Sequence, residues 1–290
     1  MPEKYFNVDD KIVHVYAAGQ KSRLWQILAA ILKDFSMAHS LGFRLAERNI
    51  KARYRQSVFG VLWALLPPLA TAAVWILLNK NNIISISSQG INYPLFVITG
   101  TMLWSVFSNA VFTPILTVQN NASILVKMNF PREALIINAF YEILFGTLIA
   151  MVIIIGEMVY FKISFTPQTF LFFPAVLVLI IMGICVGLIL MPLAILLKDV
   201  QFVLPTLLQF AMYLTPVVYT TPVTGGYSKL LSFNPISPVL NFAREAIMGS
   251  TFSVSLLHFS IISIIAIIIL LIGLVLQRLA MEILIERMGS

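Results

Sequence analysis

The sequence predicts an all-α integral membrane protein with six transmembrane helices, an N-terminal amphipathic interfacial helix and short re-entrant helices between spans five and six. Three observations carry that reading. Of 290 residues, 59% are hydrophobic and only 11% charged, with a mean hydropathy of +0.94, where a soluble domain carries about a quarter charged residues. Charge-free apolar runs long enough to cross a bilayer core, about 20 residues each, recur after Ser57. Ten of the 19 Lys/Arg precede Ser57, and a basic block abutting the first apolar run marks the cytoplasmic side, where anionic lipid favours it.

Residues 1–35 are expected to be a cytoplasmic segment. Within it LWQILAAIL (24–32) is apolar and flanked by Arg23 and Lys33. No small-x-small cleavage site follows, so it reads as an interfacial helix rather than a signal peptide. Residues 36–57 are predicted to form the amphipathic helix. At 100° per residue Arg44, Arg48, Lys51 and Arg55 fall within roughly 60° of one another, and Phe43, Ala46, Ile50 and Tyr54 form a stripe about 125° away. The expected arrangement is a helix in the cytoplasmic interface, with the apolar stripe toward acyl chains and guanidinium groups toward water and phosphate. Arginine forks match phosphate oxygens bidentately, so the basic stripe is either a topology anchor or a docking strip for an anionic headgroup.

The six-span domain is placed at 58–278. Its first span, 58–78, is charge-free between Arg55 and Lys80, and Asn/Ser/Gly-rich loop sequence follows it. The second is expected at 93–117 and the third at 134–160, separated by the polar segment 118–133. Spans four, 168–197, and five, 200–219, are divided only by Lys198 and Asp199 and so form a tight hairpin. Residues 220–251 hold Pro222, Pro235 and Pro238, and their apolar pieces are too short to cross. They read as outer re-entrant helices whose backbone must be satisfied by protein or water. A last span at 253–276 ends at Gln277 and Arg278, leaving 279–290 as a cytoplasmic tail. With both termini on one face, that face holds fifteen Lys/Arg against four on the other, so both termini are expected in the cytoplasm.

Chemistry is conspicuously sparse. No G-x-x-x-x-G-K-[ST] motif cradles nucleotide phosphates. His14, His39 and His258 are scattered and Cys185 is the single cysteine, so no metal site, disulfide or catalytic residue is assigned. The placement of the positive charge argues against a nucleic-acid partner. Burying a charge in a bilayer is costly, so Glu142 should face protein or water, as a partner across helices or a proton-coupling group, whereas Glu157, beside Lys162, reads as interfacial. Gly183 and Gly187 form a GxxxG that permits close helix contact, either within the chain or between subunits. Pro67-Pro68 and Pro205 interrupt the ladders of spans one and five.

The residues Arg48, Lys51, Arg53, Tyr54, Gln56, Ser57, Gly60, Trp63 and Pro67 occur in an order that resembles the start of the first span in ABC-2 type permeases exporting polysaccharide, the O-antigen, capsule and teichoic-acid family. Further matches are Phe130-Pro131-Arg132-Glu133, Leu197-Lys198-Asp199, Thr215-Pro216-Val217-Val218-Tyr219 and Asn234-Pro235-Ile236-Ser237-Pro238 through Arg244. The resemblance covers about 36–280. It implies a homodimer in the bacterial cytoplasmic (inner) membrane, docked on two copies of a cytoplasmic ABC ATPase that carries the ATP and Mg, with no cofactor in this chain. It further implies that a coupling segment in 118–130 meets the ATPase, here Gln119, Asn120, Ile124, Leu125 and Lys127. The cargo it implies is a glycan on a polyprenyl pyrophosphate lipid. Arg44, Arg48, Lys51, Arg53 and Arg55 are then the lipid-headgroup or gate residues. Because sugar C–H faces stack on rings, Phe59, Trp63, Phe210, Tyr213 and Tyr219 are the candidate glycan-channel aromatics. Competing readings are an ABC-2 permease for small drugs or lipids, a membrane-embedded glycan-lipid transferase, and a proton-driven flippase resting on Glu142.

Overall fold

The computed structural model describes the backbone at 5–8, 11–14, 24–55, 57–83, 92–121, 133–197, 199–220 and 233–289, and side chains in these ranges except at 5–8, 11–14, 24–37, 279 and 282–289. Apolar runs with no water to satisfy their backbone must form helices, and they do: α1 (Leu24–Tyr54), α2 (Leu62–Lys80), α3 (Tyr93–Asn120), α4 (Glu133–Tyr160), α5 (Phe172–Leu196, led in by a 3-10 turn at Pro167–Leu171), α6 (Asp199–Tyr213), α7 (Ile236–Met248) and α8 (Leu256–Gly289). Beyond the expected all-helical fold, the N-terminal segment contains a small antiparallel hairpin, β1 (Tyr5–Val8) with β2 (Lys11–His14), in which Tyr5 pairs with His14. The two N-terminal helical stretches read separately in the sequence are parts of one 31-residue helix, α1.

Five helical segments are long and apolar enough to cross a membrane: Leu62–Lys80, Tyr93–Asn120, Glu133–Tyr160, Pro167–Leu196 and Leu256–Arg278. The expected fifth span, 200–219, is a 15-residue helix followed by a turn. At 1.5 Å per residue α6 reaches about 22 Å, short of a hydrocarbon core of about 30 Å. α8 continues as helix beyond the expected end of the last span, through to Gly289.

α3 is the central post. Most of it is buried, and α2, α4, α5 and α7 pack around it, with α8 against α5. The GxxxG of α5 serves this internal contact: a Cβ at Gly183 would meet Ala110 Cβ at 2.5 Å and Phe107 O at 2.8 Å, and one at Gly187 would run into Val111 O. Hence the two glycines let α5 lie on α3 within the chain. In contrast, α2 buries only Ala72.

One end of α3 carries a compact polar knot. After α6, the carbonyls of Pro216, Val217 and Val218 face inward and need donors. Arg244 of α7 donates to Pro216 O (3.1 Å) and Val217 O (2.8 Å), and Tyr93 Oη donates to Val218 O (3.1 Å). The Asn234 amide donates to Thr215 Oγ1 at 2.8 Å while its oxygen accepts from Ile236 N at 3.0 Å, starting α7. The Arg244 guanidinium sits 3.6 Å above the Phe96 ring, a cation–π contact strengthened by burial. Gly100 leaves room for all this, since a Cβ there would overlap Arg244 Nη2 and Val217 O.

Glu157, expected at the interface near the outer end of its span, is buried against α3, its Oε2 accepting from Thr99 Oγ1 at 3.1 Å. Its place on the α3 face of α4, not its distance along the helix, decides its exposure.

Gly100→Ala and Gly187→Ala each force a Cβ against backbone carbonyl oxygen, an overpacking cost of about 1–3 kcal/mol. Thermal denaturation of purified protein should show both losing about 2–10 °C. Gly156→Ala, where nothing lies within 4 Å, should leave the midpoint unchanged; equal midpoints in all three would refute the close-approach role.

Candidate functional site

The basic helix α1 presents two different faces. Ala38, Gly42 and Ala46 recur every four residues and are buried, and a Cβ at Gly42 would lie 2.7 Å from Ala134 O and 2.8 Å from Ile137 Cβ. Small residues at this spacing let α1 lie directly on α4. Phe43 packs edge-on to Tyr141 (5.1 Å between centroids), and Tyr54 lies 6.1 Å from Phe145. His39 Nε2 and Tyr141 Oη are 2.7 Å apart. The apolar stripe expected to face acyl chains is therefore turned in part toward α4: Ala46 is buried, and Phe43 and Tyr54 meet aromatic rings of that helix, with Phe43 still 48% exposed.

Glu142 secures the contact. It is buried, and its two oxygens accept from Arg53 Nη2 (2.6 Å) and Asn49 Nδ2 (2.9 Å). Glu142 is thus a hydrogen-bond partner across helices. Arg53 belongs with this pin rather than with the other cations, because on the helical wheel it lies about 170° from the centre of the basic stripe. Losing either donor leaves a buried carboxylate short of hydrogen bonds, although Arg53 is itself half exposed, which weakens its Coulombic share.

Arg48, Lys51, Ala52 and Arg55 line an open groove on the outward face of α1. Arg44 lies exposed one turn before it. Lys51 bonds Glu47 at 2.6 Å, a solvated pair four residues apart, and this hydrogen bond holds the Glu47 carboxyl below its usual range. Arg48 reaches out of α1 to Asn121 Oδ1 at 2.8 Å, at the end of α3. Three cations converging on one groove, two of them guanidinium forks, suit a multiply charged phosphate. α1 gives way to α2 through a turn in which Gly60 adopts φ +50° and donates to Ser57 Oγ at 2.9 Å; that left-handed conformation favours glycine.

The expected channel aromatics fall into two groups. Phe59 and Trp63 contact each other edge-on at 5.7 Å at the start of α2, both more than half exposed. Tyr213 lies 6.3 Å from Trp75, and its carbonyl accepts from Tyr219 Oη at 2.9 Å. Trp63 and Trp75 are 12 residues apart on α2, about 18 Å, so the groups are separated along one surface rather than gathered in a pocket. Phe210, on α6, is exposed. Of the coupling residues, Gln119 donates to Ala194 O at 3.2 Å and Asn120 is exposed; Ile124, Leu125 and Lys127 lie outside the described residues.

Sequence reasoning missed Asn49, Asn121 and the Arg278–Glu133 pair, which joins α8 to the start of α4 at 2.8 Å. For Asn49 the signal was present: it shares the wheel face of Arg53 and Gly42. Nothing in the local sequence distinguishes Asn121 from Asn120.

The two ends of α3 also fix the direction of neighbouring segments. Ala194 meets Gln119 at one end and Val218 meets Tyr93 at the other, so 194–218 runs the length of α3, about 42 Å for 28 residues.

The profile of the ABC-2 type transporter family matches residues 40–248. An O-antigen export system permease protein RfbA of Klebsiella pneumoniae is 25% identical over 241 residues, covering 78% of this chain and 91% of the relative. The protein of the same name from Myxococcus xanthus is 27% identical over 212 residues, 71% of this chain and 79% of the relative. The polysialic acid transport protein KpsM of Escherichia coli is 27% identical over 241 residues, 80% and 90%.

The Glu142 pin should behave as a coupled unit. Arg53→Gln is expected to raise amide exchange across 38–54, at a cost of about 1–2 kcal/mol. Adding Glu142→Gln should recover much of the protection by removing the buried charge. Additive losses in the double variant would show that the two side chains do not act together.

Proposed function

The chain belongs to the ABC-2 type transporter family, and on that premise we propose that it is the membrane subunit of an ATP-driven exporter of polysaccharide carried on a polyprenyl pyrophosphate lipid. The carrying observation is that the relatives named for O-antigen and polysialic acid transport align over most of both chains. In this reading the subunit is not an enzyme; hydrolysis belongs to a separate cytoplasmic ABC ATPase, present in two copies that bind the ATP and Mg. It sits in the bacterial cytoplasmic membrane.

Six crossings are favoured by the course of 194–218 along the whole of α3. α6 together with the turn at 214–219 then completes the crossing that α6 alone is too short to make, and both termini lie in the cytoplasm. The knot around Arg244 falls at the outer face, with α7 as the re-entrant element of 220–251. The end of α3 that holds Gln119, Asn120 and Asn121 is cytoplasmic, and 118–130, with Ile124, Leu125 and Lys127, is the segment on which the ATPase pushes.

A homodimer is favoured by α2, which keeps Leu62, Trp63, Leu66, Val74 and Leu77 exposed. Placed against a second copy, α2 and α6 would border a path lined by Phe59, Trp63, Phe210, Tyr213 and Tyr219, whose ring faces stack on sugars without demanding one fixed hydrogen-bond pattern. At its cytoplasmic end, Arg48, Lys51 and Arg55 take the pyrophosphate, with Arg44 one turn away, while Arg53 holds α1 on α4.

Reconstituted alone, the protein should move no glycolipid; with a cytoplasmic ABC ATPase partner added, ATP should drive transfer. Replacing Arg48, Lys51 and Arg55 together by Gln should leave insertion intact and cut stimulation of ATP hydrolysis by polyprenyl-pyrophosphate glycan at least about tenfold, the scale of one lost charge-assisted contact. Wild-type stimulation in that variant would end the headgroup assignment.

A further inference from the structure

Arg48 serves two places at once. It lines the groove with Lys51 and Arg55, yet its Nη2 donates to Asn121 Oδ1 at 2.8 Å and to Asn49 Oδ1 at 3.1 Å. Asn121 is fully buried at the end of α3. Its Nδ2 donates to Thr117 O at 2.7 Å, and its backbone N–H is shared between Thr117 O and Val118 O at 3.3 Å each. Arg48 therefore holds a side chain that closes the last turn of α3, inside the segment 118–130 assigned to the ATPase.

The amide oxygen is neutral, whereas a phosphate oxygen is charged and makes a shorter bond roughly twice as strong. A phosphate held bidentately by the Nη1–Nη2 fork takes an Nη2 hydrogen that Asn121 or Asn49 now accepts, and so competes with them for that atom. If Arg48 leaves, a buried amide oxygen loses its donor, a state that the end of α3 relieves only by rearranging. Arg53 stays bound to Glu142 on the opposite face of α1, so the helix remains docked while Arg48 changes acceptor.

Building on the headgroup reading, we propose that Asn121 is a positioning residue of the phosphate site: it holds Arg48 in reserve, and arrival of a pyrophosphate headgroup draws Arg48 away and loosens the last turn of α3. No covalent bond is made or broken; one hydrogen-bond acceptor replaces another. The coupling is reciprocal: displacement of this end of α3 by a partner frees Arg48 and tightens the phosphate site by the same factor.

The test uses the permease–ATPase complex in lipid nanodiscs with a polyprenyl pyrophosphate as probe. Asn121→Ala removes the competing acceptor, so the probe should bind about threefold to tenfold tighter, the scale of one neutral hydrogen bond, while no longer stimulating ATP hydrolysis. A merely structural Asn121 predicts weaker or unchanged binding, and either result with stimulation retained overturns the proposal. If Asn121→Ala does not assemble, amide exchange at 117–121 in the wild type decides: it should rise on saturation with the probe and not do so in Arg48→Gln, and an unchanged wild-type profile overturns the proposal. Soluble inorganic pyrophosphate, in a parallel arm, separates the two sources of the anion: a response equal to that of the lipid supports the exchange with the free anion sufficient, and a response to the lipid alone supports it with the headgroup required. Should the Arg48, Lys51, Arg55 triple Gln variant bind the probe as the wild type does, the headgroup reading falls and the exchange with it. Loss of binding in the triple variant with an unaltered Asn121→Ala defeats the exchange alone.

Discussion

Inside a membrane no water stands ready to satisfy a carbonyl or a carboxylate, so leaving such a group without a partner within the chain is costly. Arginine supplies much of this need here. Arg244 satisfies two carbonyls of the turn after α6, Arg53 half of Glu142, and Arg278 the Glu133 carboxylate. Each reaches a separate segment of the chain with a long stem and a rigid fork of donors, which lysine lacks. The arrangement of α1, α4, α6, α7 and α8 follows from where those forks reach.

The same economy of donors links α1 to the end of α3 and to α4. α1 is held at two points, by Glu142 on α4 and Asn121 on α3, that lie on either side of residues 122–132. The Arg278–Glu133 pair adds α8 at the start of α4. In the proposed exporter, a push on this segment reaches α1 through short hydrogen bonds rather than through a diffuse apolar contact, and a lipid headgroup on α1 acts back along the same bonds.

Packing is distributed to match. Close glycine contacts concentrate where movement would be disruptive: Gly183 and Gly187 against α3, Gly100 beneath Arg244, Gly42 beneath α4. α2 is the exception. It is joined to α1 by the Ser57–Gly60 turn and interrupted by Pro67 and Pro68, which remove the donors that Trp63 and Ala64 carbonyls would otherwise receive. A weakly attached, proline-interrupted helix with a broad apolar face suits a lateral boundary that opens against a second subunit.

What the sequence determined by itself was local: the helical class, the apolar segments, the basic stripe of Arg44, Arg48, Lys51 and Arg55, and the absence of a nucleotide-binding motif, though the short hairpin at 5–14 escaped it. Hydropathy over 20 residues and the 100° step of a helix are properties of consecutive side chains, so they can be read without the fold. Only the tertiary structure decided that Arg53 pairs with Glu142, that Glu157 is buried, that α1 packs on α4, that GxxxG packs internally, and that α6 ends early. Those outcomes join residues far apart in the chain, such as 53 with 142 and 48 with 121. A charge in a sequence has a sign but no address: which face it occupies is periodic, and which partner waits there depends on how the other helices have packed.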